Sequence, residues 1–213
     1  MSLRVQWFGQ IEFQEALALQ EDAVAQKTGG LCDDDFLLLL EHLPVYTIGR
    51  TPDQTSLCDL ARLPHPVVRI NRGGQATYHG PGQLVGYPIV DLRKHGQDLH
   101  RYLRSLEKVL ILALEKYGIQ GIRREELTGV WVGGRKIASI GVGVRRWISM
   151  HGFALNVRGD LEPFRRIIPC GIAGVEMTSI ERETGETPTV EEVGSEVAGI
   201  FQTEFFQHHE NLS

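Results

Sequence analysis

The sequence predicts an α+β fold, in which strands dominate the middle of the chain and helices lie before, between and after them. Short runs rich in β-branched residues and separated by glycines fill residues 130–157, whereas three other segments have the apolar period of helices. The elements do not alternate one by one, as they do in a doubly wound parallel sheet. The 213 residues contain no repeat, linker or low-complexity tract. We therefore predict a single domain over residues 1–213.

The first third of the chain predicts one helix and three strands. Residues 11–27 are helix-prone and stop at Gly29-Gly30, which is a typical C-terminal glycine signal. Residues 35–50 contain short apolar runs split by Pro44, which indicates a buried strand followed by a second one. Residues 67–71 alternate apolar and polar side chains like a strand, and they lead directly into a glycine-rich loop.

The clearest helix is predicted over residues 98–117, where apolar side chains recur on one face. Asp98 is suited to cap its start, and Gly118 is suited to end it. Residues 130–157 follow as a hairpin or meander, with Gly133-Gly134 at a turn.

A last helix is predicted to begin at Thr189, just after a proline. Thr189 and Glu192 have the spacing of a capping box, in which each residue satisfies a backbone N–H of the other. Val193, Val197 and Phe201 then fall on one face.

The three cysteines, Cys32, Cys58 and Cys170, are odd in number and widely spaced, so they match neither a disulfide framework nor a zinc site. The first residues lack the apolar core of a signal peptide, and the longest early apolar run, residues 36–40, is too short to cross a membrane. An unpaired thiol survives in a reducing compartment. We therefore predict a cytoplasmic protein that does not bind a membrane.

The chain carries 22 Lys and Arg against 27 Asp and Glu, a net charge of −5, which disfavours non-specific nucleic-acid binding. Basic residues nevertheless occur in three doublets, Arg123-Arg124, Arg145-Arg146 and Arg165-Arg166. These are either ordinary solvated surface charge or a local basic rim that steers an acidic protein partner. Composition leaves both interpretations open.

Cys170 is the best candidate for a nucleophile. Pro169 restricts the backbone before the sulfur, and Gly171 removes side-chain bulk after it, so a carbonyl group has access. Cys32 and Cys58 have acidic neighbours, which disfavour a thiolate. A lone cysteine is more often a small buried hydrophobe than a nucleophile, and that interpretation also stays open.

Lys136 is the candidate that activates this thiol. It lies in a strand-rich segment that otherwise has the composition of a core, and its ordinary alternative is an exposed hairpin lysine. If Lys136 points inwards, it needs an anionic partner, because an unpaired buried ammonium is very costly. A Cys170 thiolate would supply that partner, and the cation would lower the pKa of the thiol.

Residues 71–83 form a loop with four glycines and several polar side chains, Arg72, Thr77, Tyr78 and His79 among them. Glycines allow a ligand to approach the backbone closely, although a plain turn-rich loop contains them as well. The loop matches neither a Walker motif nor GxGxxG. No two of the eight histidines have convincing metal-ligand spacing, so we predict no metal.

Six segments in order resemble the lipoyl(octanoyl) transferases. They are HLPVYTIGR (42–50), RGGQATYHGPGQLVGYP (72–88), GGRKIASIGV (133–142), HGFALNV (151–157), IIPCGI (167–172) and MTSI (177–180). The resemblance extends over roughly residues 5–205. It implies the fold shared with lipoate and biotin protein ligases, a mixed central sheet flanked by helices.

The family resemblance implies an octanoyl transfer from acyl carrier protein to a lysine of lipoyl domains, which include those of 2-oxoacid dehydrogenase complexes and the glycine-cleavage H protein. It places the nucleophile at Cys170 and the residue that lowers its pKa at Lys136, and it implies no cofactor beyond the phosphopantetheine arm of the carrier. His79 is an additional candidate for proton transfer, beside Lys136. The implied substrate contacts are Arg72, Gly73, Gly74, Gln75, Ala76, Thr77, Tyr78, His79, Ser139, Ile140, Gly141, Gly152, Phe153 and Ala154.

Two other functions remain as alternatives. An ATP-dependent lipoate or biotin ligase of the same fold would use Lys136 to contact an acyl-adenylate, but His79 is followed by Gly80-Pro81, which argues against the ligase motifs. A non-catalytic carrier-binding protein would retain the fold without turnover, and the presence of both Cys170 and Lys136 argues against it.

Overall fold

The computed structural model describes residues 2–50, 56, 63–125, 127–168 and 174–206. Within these residues the strands are β1 (Leu3–Ile11), β2 (Asp35–His42), β3 (Val45–Ile48), β4 (Val67–Arg69), β5 (Thr77–His79), β6 (Gln83–Ile89), β7 (Ile122–Arg124), β8 (Leu127–Val132), β9 (Arg135–Arg145) and β10 (Ile148–Asn156). The α-helices are α1 (Phe13–Thr28), α2 (Leu99–Glu115), α3 (Ile180–Thr184) and α4 (Val190–Phe206). Two short 3-10 helices lie at Leu92–His95 and Glu162–Arg166.

The main sheet has seven strands in the order β1-β2-β6-β10-β9-β8-β7. Strands β1 and β2 are parallel, and the other neighbours are antiparallel, so the sheet is mixed. A smaller sheet has the order β4-β3-β5. The predicted α+β class with a mixed central sheet is therefore confirmed.

Helices cover both faces of the main sheet because side chains alternate between faces along each strand. In β2, Leu38 and Leu40 pack with Ala16 of α1, whereas Leu37 and Leu39 belong to the larger core beneath α2 and α4. Strand β6 is buried along its whole length, as expected for the centre of a covered sheet. No helix in the described part of the chain is both long and apolar enough to cross a membrane.

The predicted helices are confirmed, and two of them have the expected caps. The Asp98 side chain accepts a hydrogen bond from the Arg101 backbone N–H at 3.0 Å. At the start of α4, the Thr189 N–H donates to Glu192 at 2.8 Å, and the Glu192 N–H donates to Thr189 Oγ1 at 3.2 Å. The predicted break at Pro44, between β2 and β3, and the meander of β8 to β10 are also confirmed.

Several short or atypical elements are absent from the sequence-based prediction. Strand β5 lies within the predicted loop of residues 71–83, and no element was predicted for β6, which contains Gly86 and Pro88, residues that usually interrupt strands. Strand β1 is an edge strand with no fully buried side chain, so it lacks a clear apolar alternation. The three-residue β7 and the five-residue α3 are too short to show a period. The assignment of all 213 residues to a single domain stays a prediction.

Two glycine-to-alanine changes test this packing in opposite directions. A methyl group at Gly86 would overlap the ring of Phe153, so Gly86→Ala should destabilise the protein by about 1–3 kcal/mol through overpacking. Gly199 lies in α4 with no heavy atom within 4 Å of the added methyl group, so Gly199→Ala should stabilise it by about 0.5–1 kcal/mol. Urea denaturation of both variants measures the two effects. If both variants changed the free energy of unfolding in the same direction, the described packing would be contradicted.

Candidate active site

A cavity of about 420 Å³ lies between the glycine-rich loop, strands β9 and β10, and the starts of α1 and α2. Most of the predicted site residues line it, although they come from three separate segments of the chain. The predicted residues in its wall are Arg72, Gly73, Gly74, Gln75, Thr77, His79, Lys136, Ser139, Ile140, Gly141, Gly152, Phe153 and Ala154.

Ala76 and Tyr78 were predicted as substrate contacts, but they do not lie in the cavity wall. Both belong to a hydrophobic cluster with Ile48 and Phe164. The reason is the alternation of side chains along an extended chain, which directs Thr77 and His79 to the cavity and their neighbours to the opposite side. Burial also raises the pKa of the Tyr78 hydroxyl to about 12, so the hydroxyl is uncharged at neutral pH.

The cavity lies beside an edge of β9 that, over part of its length, has no strand partner among the described residues. Strand β8 pairs with β9 only as far as Ala138, and the loop then hydrogen-bonds β9 through the Gly73 N–H and the Val142 carbonyl at 3.0 Å. No described strand pairs with this edge between Ala138 and Val142. Backbone groups alternate in direction along a strand, so the Ile140 N–H and carbonyl face the same edge as those of Val142.

Glycine is required where the loop meets this edge. A methyl group at Gly141 would lie 3.1 Å from both Arg72 Cδ and the Gly73 carbonyl oxygen, which is tighter than ordinary van der Waals contact. A methyl group at Gly49 would overlap the Gly74 carbonyl oxygen. The backbone of the loop therefore approaches both β3 and β9 more closely than any larger residue would permit.

Arg72 holds the loop against β3 from inside the protein. Only 8% of the residue is exposed, and its Nη2 donates to the Thr47 carbonyl at 3.2 Å and to Thr47 Oγ1 at 3.0 Å. Its Nη1 donates to the Gly73 carbonyl at 2.9 Å. These contacts fix a guanidinium charge in the cavity wall.

Lys136 lies in the cavity wall with 1% of its surface exposed, so it points inwards and is not an exposed hairpin lysine. Its Nζ donates to the Thr128 carbonyl at 3.1 Å and lies 5.3 Å from the centre of the Trp131 ring. Its backbone N–H donates to the Glu176 carbonyl at 2.8 Å, and its carbonyl accepts from the Thr178 N–H at 2.9 Å.

Cys170 lies outside the described residues, and so does the proposed contact between its sulfur and Lys136. The described chain stops at Ile168, whose N–H donates to the Ser56 carbonyl at 2.7 Å. It resumes at Gly174 and pairs with Lys136 through a bridge at Met177. The segment that follows Cys170 in the sequence therefore returns to β9 at Lys136.

His79 is buried in the wall with both ring nitrogens engaged. Its Nδ1 lies 2.8 Å from Gln83 Oε1, and its Nε2 lies 3.3 Å from Thr47 Oγ1. Burial, together with the nearby His42 ring, lowers the pKa of His79 to about 3. The imidazole is neutral at pH 7, and both of its nitrogens are hydrogen-bonded to other side chains. These properties favour a positioning role for His79 over proton transfer.

Two further histidines near the cavity were not among the sequence candidates. His42 bonds the Tyr87 hydroxyl at 2.6 Å, and burial lowers its pKa to about 4. His151 lines the cavity with φ +57°, and burial, aided by the charge of Arg72, lowers its pKa to about 4. Each residue lies within one of the motifs quoted above, but nothing else in the sequence indicates a role for it. The two histidines come close to the site only when the chain folds.

The His151 backbone is held in its left-handed conformation by a hydrogen bond from its N–H to Gln20 Oε1 at 2.8 Å. Neither ring nitrogen has a hydrogen-bond partner among the described residues. In the same part of the chain, no group of three His, Cys, Asp or Glu side chains is arranged to hold a metal ion. The absence of a metal nevertheless stays a prediction.

Residues 12–202 match the family described as the lipoyl protein ligase A/B catalytic domain. The chain therefore belongs to this family of catalytic domains. An octanoyltransferase from Geobacter sulfurreducens is 55% identical over 191 residues, which cover 90% of this chain and 80% of that protein. Within the family, the chain groups with the octanoyltransferases.

Solved structures agree on the fold. One similar structure is the bi-partite lipoate protein ligase of an archaeal lipoylation system from Thermoplasma acidophilum, described together with its E2 lipoyl domain. It has a TM-score of 0.73 at 16% identity, and the match covers 96% of this chain and 84% of that one. Biotin protein ligase from Aquifex aeolicus has a TM-score of 0.58 at 14% identity, with coverage of 99% and 72%. The fold expected from the family resemblance is therefore confirmed.

The three buried histidines should make the protein less stable at acidic pH. Their folded-state pKa values of about 3 to 4 lie below the unfolded value of 6.5, so the unfolded chain binds protons first as the pH falls. Their contribution is complete above pH 6.5 and is lost as the pH falls towards 4, by about 1.4 kcal/mol per pH unit for each histidine. Urea denaturation at a series of pH values measures this slope.

His151→Asn should reduce the slope by roughly one third, because it removes one of the three titrating rings. Asparagine tolerates a positive φ better than most residues, so the fold should be retained. His100→Gln, at an exposed position in α2, is the matched control and should leave the slope unchanged. A slope unaltered by His151→Asn would contradict the assignment of a buried, neutral ring.

Proposed function

We propose that this chain transfers an octanoyl group from octanoyl-acyl carrier protein to a specific lysine of lipoyl domains, through an acyl thioester on Cys170. The acceptors would be lipoyl domains of 2-oxoacid dehydrogenase complexes and the glycine-cleavage H protein, and the reaction would be the first step of endogenous protein lipoylation in the cytoplasm. Membership among the octanoyltransferases makes the chain an acyltransferase. The observation that carries the proposal is the buried Lys136 amine in the cavity wall.

The environment of Lys136 supports its role as the activator of the thiol. The Lys136 amine donates to the Thr128 carbonyl, and Lys136 is engaged in further interaction besides. A thiol has an unperturbed pKa of about 8.5, so only a few per cent is thiolate at neutral pH. A cation at roughly 4 Å, with an effective dielectric of about 20, stabilises the thiolate by on the order of 4 kcal/mol. Even half of this lowers the thiol pKa by more than one unit.

In the first half-reaction, the Cys170 thiolate attacks the carbonyl carbon of the donor thioester. A tetrahedral oxyanion forms, and backbone N–H groups near the open edge of β9 are suited to stabilise it, that of Ile140 first among them. The oxyanion then collapses and expels the carrier thiol as its thiolate, which takes up a proton from the Lys136 ammonium, so Lys136 is a neutral amine in the acyl-enzyme. The acyl group is left on Cys170 as a new thioester.

In the second half-reaction, the neutral amine of the target lysine attacks the acyl-Cys170 carbonyl. The amine nitrogen loses a proton, the C–S bond breaks, and Cys170 is released as a thiolate while the amide forms. Lys136 or His79 was expected to receive this proton, and the engaged ring of His79 favours Lys136. Thioester exchange is nearly thermoneutral and amide formation is downhill, so the scheme requires neither ATP nor any cofactor beyond the carrier's phosphopantetheine arm.

The acyl chain has an apolar region of the cavity in which to lie. Phe13, Leu103, Ile140 and Phe153 contribute to its wall, and the neighbouring histidines are uncharged at neutral pH. Binding sites for small apolar groups have this mixture of apolar walls with a few polar atoms. The cavity of about 420 Å³ falls within the range typical of such sites.

Mass spectrometry after mixing with octanoyl carrier protein tests the thioester. We expect one octanoyl adduct on wild-type Cys170 and none on Cys170→Ala, whereas Cys32→Ala should retain the adduct. Addition of a lipoyl domain should then discharge the wild-type adduct. An adduct on Cys170→Ala, or transfer to lipoyl domain by that variant, would overturn the mechanism.

ATP and free octanoate should yield no modified lipoyl domain, because the proposed reaction draws on a thioester that is already activated. Product from that mixture would favour the alternative of an ATP-dependent ligase. If neither an adduct nor product forms in either assay, the non-catalytic carrier-binding alternative would gain support.

Lys136→Met should raise the pKa of Cys170 towards its ordinary value of about 8.5. The pH dependence of Cys170 alkylation by iodoacetamide, followed on the Cys170 peptide, measures this pKa. We expect a midpoint at least one pH unit higher in the variant and roughly tenfold slower acylation at neutral pH. Lys116→Met, at an exposed position after α2, is the control. Identical midpoints in wild type and Lys136→Met would exclude Lys136 as the residue that lowers the pKa of Cys170.

A further inference from the structure

The three arginine doublets differ in what their side chains contact. Arg123 forms an ion pair with Glu107 at 3.2 Å, and the guanidinium of Arg124 lies 4.2 Å from the centre of the Trp131 ring. Both side chains of this doublet are therefore engaged in holding β7 to its surroundings, and they offer little to a partner.

The doublet at Arg145-Arg146 is exposed, and neither side chain has an ion-pair or hydrogen-bond partner among the described residues. In the third doublet, by contrast, Arg165 pairs with Glu162 at 3.3 Å. The whole chain has a net charge of −5, so these two adjacent arginines form a local basic patch on an acidic protein.

The same two arginines belong to a strained turn. Strand β9 ends at Arg145 and β10 begins at Ile148, so Arg146 and Trp147 form a two-residue connection with φ of +51° and +65°. Two consecutive positive φ values favour Asn-Gly, and larger residues in this conformation are uncommon. The side chains are nevertheless an arginine and a tryptophan, the latter 37% exposed. Such strain is most common where a site has a function.

The fold anchors this turn instead of leaving it free. The Leu92 N–H donates to the Trp147 carbonyl at 2.8 Å, and Ser149, just after the turn, bonds the Val90 carbonyl through its N–H at 2.9 Å. The exposed side chains are therefore presented on a fixed backbone, which reduces the entropy lost on binding a partner.

The turn lies close to the cavity but far from Lys136. Val142 lines the cavity, and Arg145 follows three positions later, a rise of about 10 Å along β9. The backbone of Lys136 is nine positions from Arg145, on the order of 30 Å, and Ile140, whose N–H would face the oxyanion, is five positions away, on the order of 17 Å. A partner centred on the turn therefore reaches the reaction centre only if its reacting group is on a long, flexible arm. A lysine side chain is too short for this separation.

We propose that Arg145, Arg146 and Trp147, here called the basic turn, form the docking site for the acidic protein that delivers the acyl group on a flexible arm. This inference rests on the proposed function, since it identifies the surface that receives the donor. The two guanidinium groups would pair with carboxylates of the carrier, and Trp147 would supply the apolar contact that tryptophan commonly makes at the centre of interfaces. The lipoyl domain would approach elsewhere.

The test compares two donors with the double variant Arg145→Glu/Arg146→Glu. One donor is octanoyl carrier protein, and the other is an octanoyl thioester of pantetheine, which has the arm without the protein. We expect the KM for the carrier protein to rise at least tenfold at low salt, with kcat nearly unchanged. Kinetics with the small thioester should stay at the wild-type level. The difference between variant and wild type should shrink as salt screens the charges.

Arg165→Glu/Arg166→Glu is the matched control, because it makes the same charge change at the third doublet, where one arginine is already paired. This control should leave the KM for the carrier protein within about twofold of wild type. Trp147→Ala should raise that KM at high salt as well, since its contact is not ionic. Arg145→Gln/Arg146→Asn removes the charges with an asparagine that tolerates the positive φ, and it replaces the glutamate variant if that one fails to fold.

Several outcomes would overturn the docking site. An equal loss with both donors would indicate a disturbed active site, and an equal effect of the two arginine doublets would indicate non-specific charge. A raised KM for the lipoyl domain, with that for the carrier unchanged, would assign the basic turn to the acceptor. Failure of the proposed function appears differently, as a wild-type enzyme that forms no acyl adduct from either donor.

Discussion

The break in strand pairing along one edge of β9 is the constraint on which the candidate site depends. The pairing of β8 with β9 ends at Ala138, and the glycine-rich loop contacts β9 again at Val142, so a short stretch of the β9 backbone faces a cavity. Continuous pairing would have enclosed these N–H and carbonyl groups in the sheet. The rest of the architecture places side chains around this gap. Lys136 lies before it on the same strand, Arg72 approaches from the loop, and His79 approaches from β5.

The cavity combines fixed cations with uncharged histidines, which is an unusual electrostatic environment for a buried site. Arg72 and Lys136 both donate hydrogen bonds to backbone carbonyls, which are uncharged acceptors. Burial lowers the pKa of His79 and His151, so these rings add no further charge at neutral pH. Such a site favours anions that are small and local, a thiolate or an oxyanion, while an apolar acyl chain lies beside neutral rings.

The sequence predicted the long helices and the segments of the site, but not how the segments combine. Asp98, Thr189 and Glu192 act locally, so their capping roles follow from spacing alone. Strand β6 is stabilised by neighbours on both sides, and tertiary context outweighs the usual effect of Gly86 and Pro88. The roles of His42 and His151 were missed for the same reason, since their proximity to His79 exists only in the folded chain.

The fold itself does not distinguish transfer from ligation, because the relatives in sequence are octanoyltransferases, whereas lipoate and biotin protein ligases share the architecture. The difference lies in how the acyl group arrives. A ligase must bind a nucleotide and activate a free acid, whereas a transferase receives a thioester and needs a protein surface for its donor. Features outside the cavity therefore bear on function as directly as those within it. A strained turn that exposes arginines with no ionic partner in the described part of the chain is difficult to explain by folding alone, because glycine or asparagine would form the same turn at lower cost.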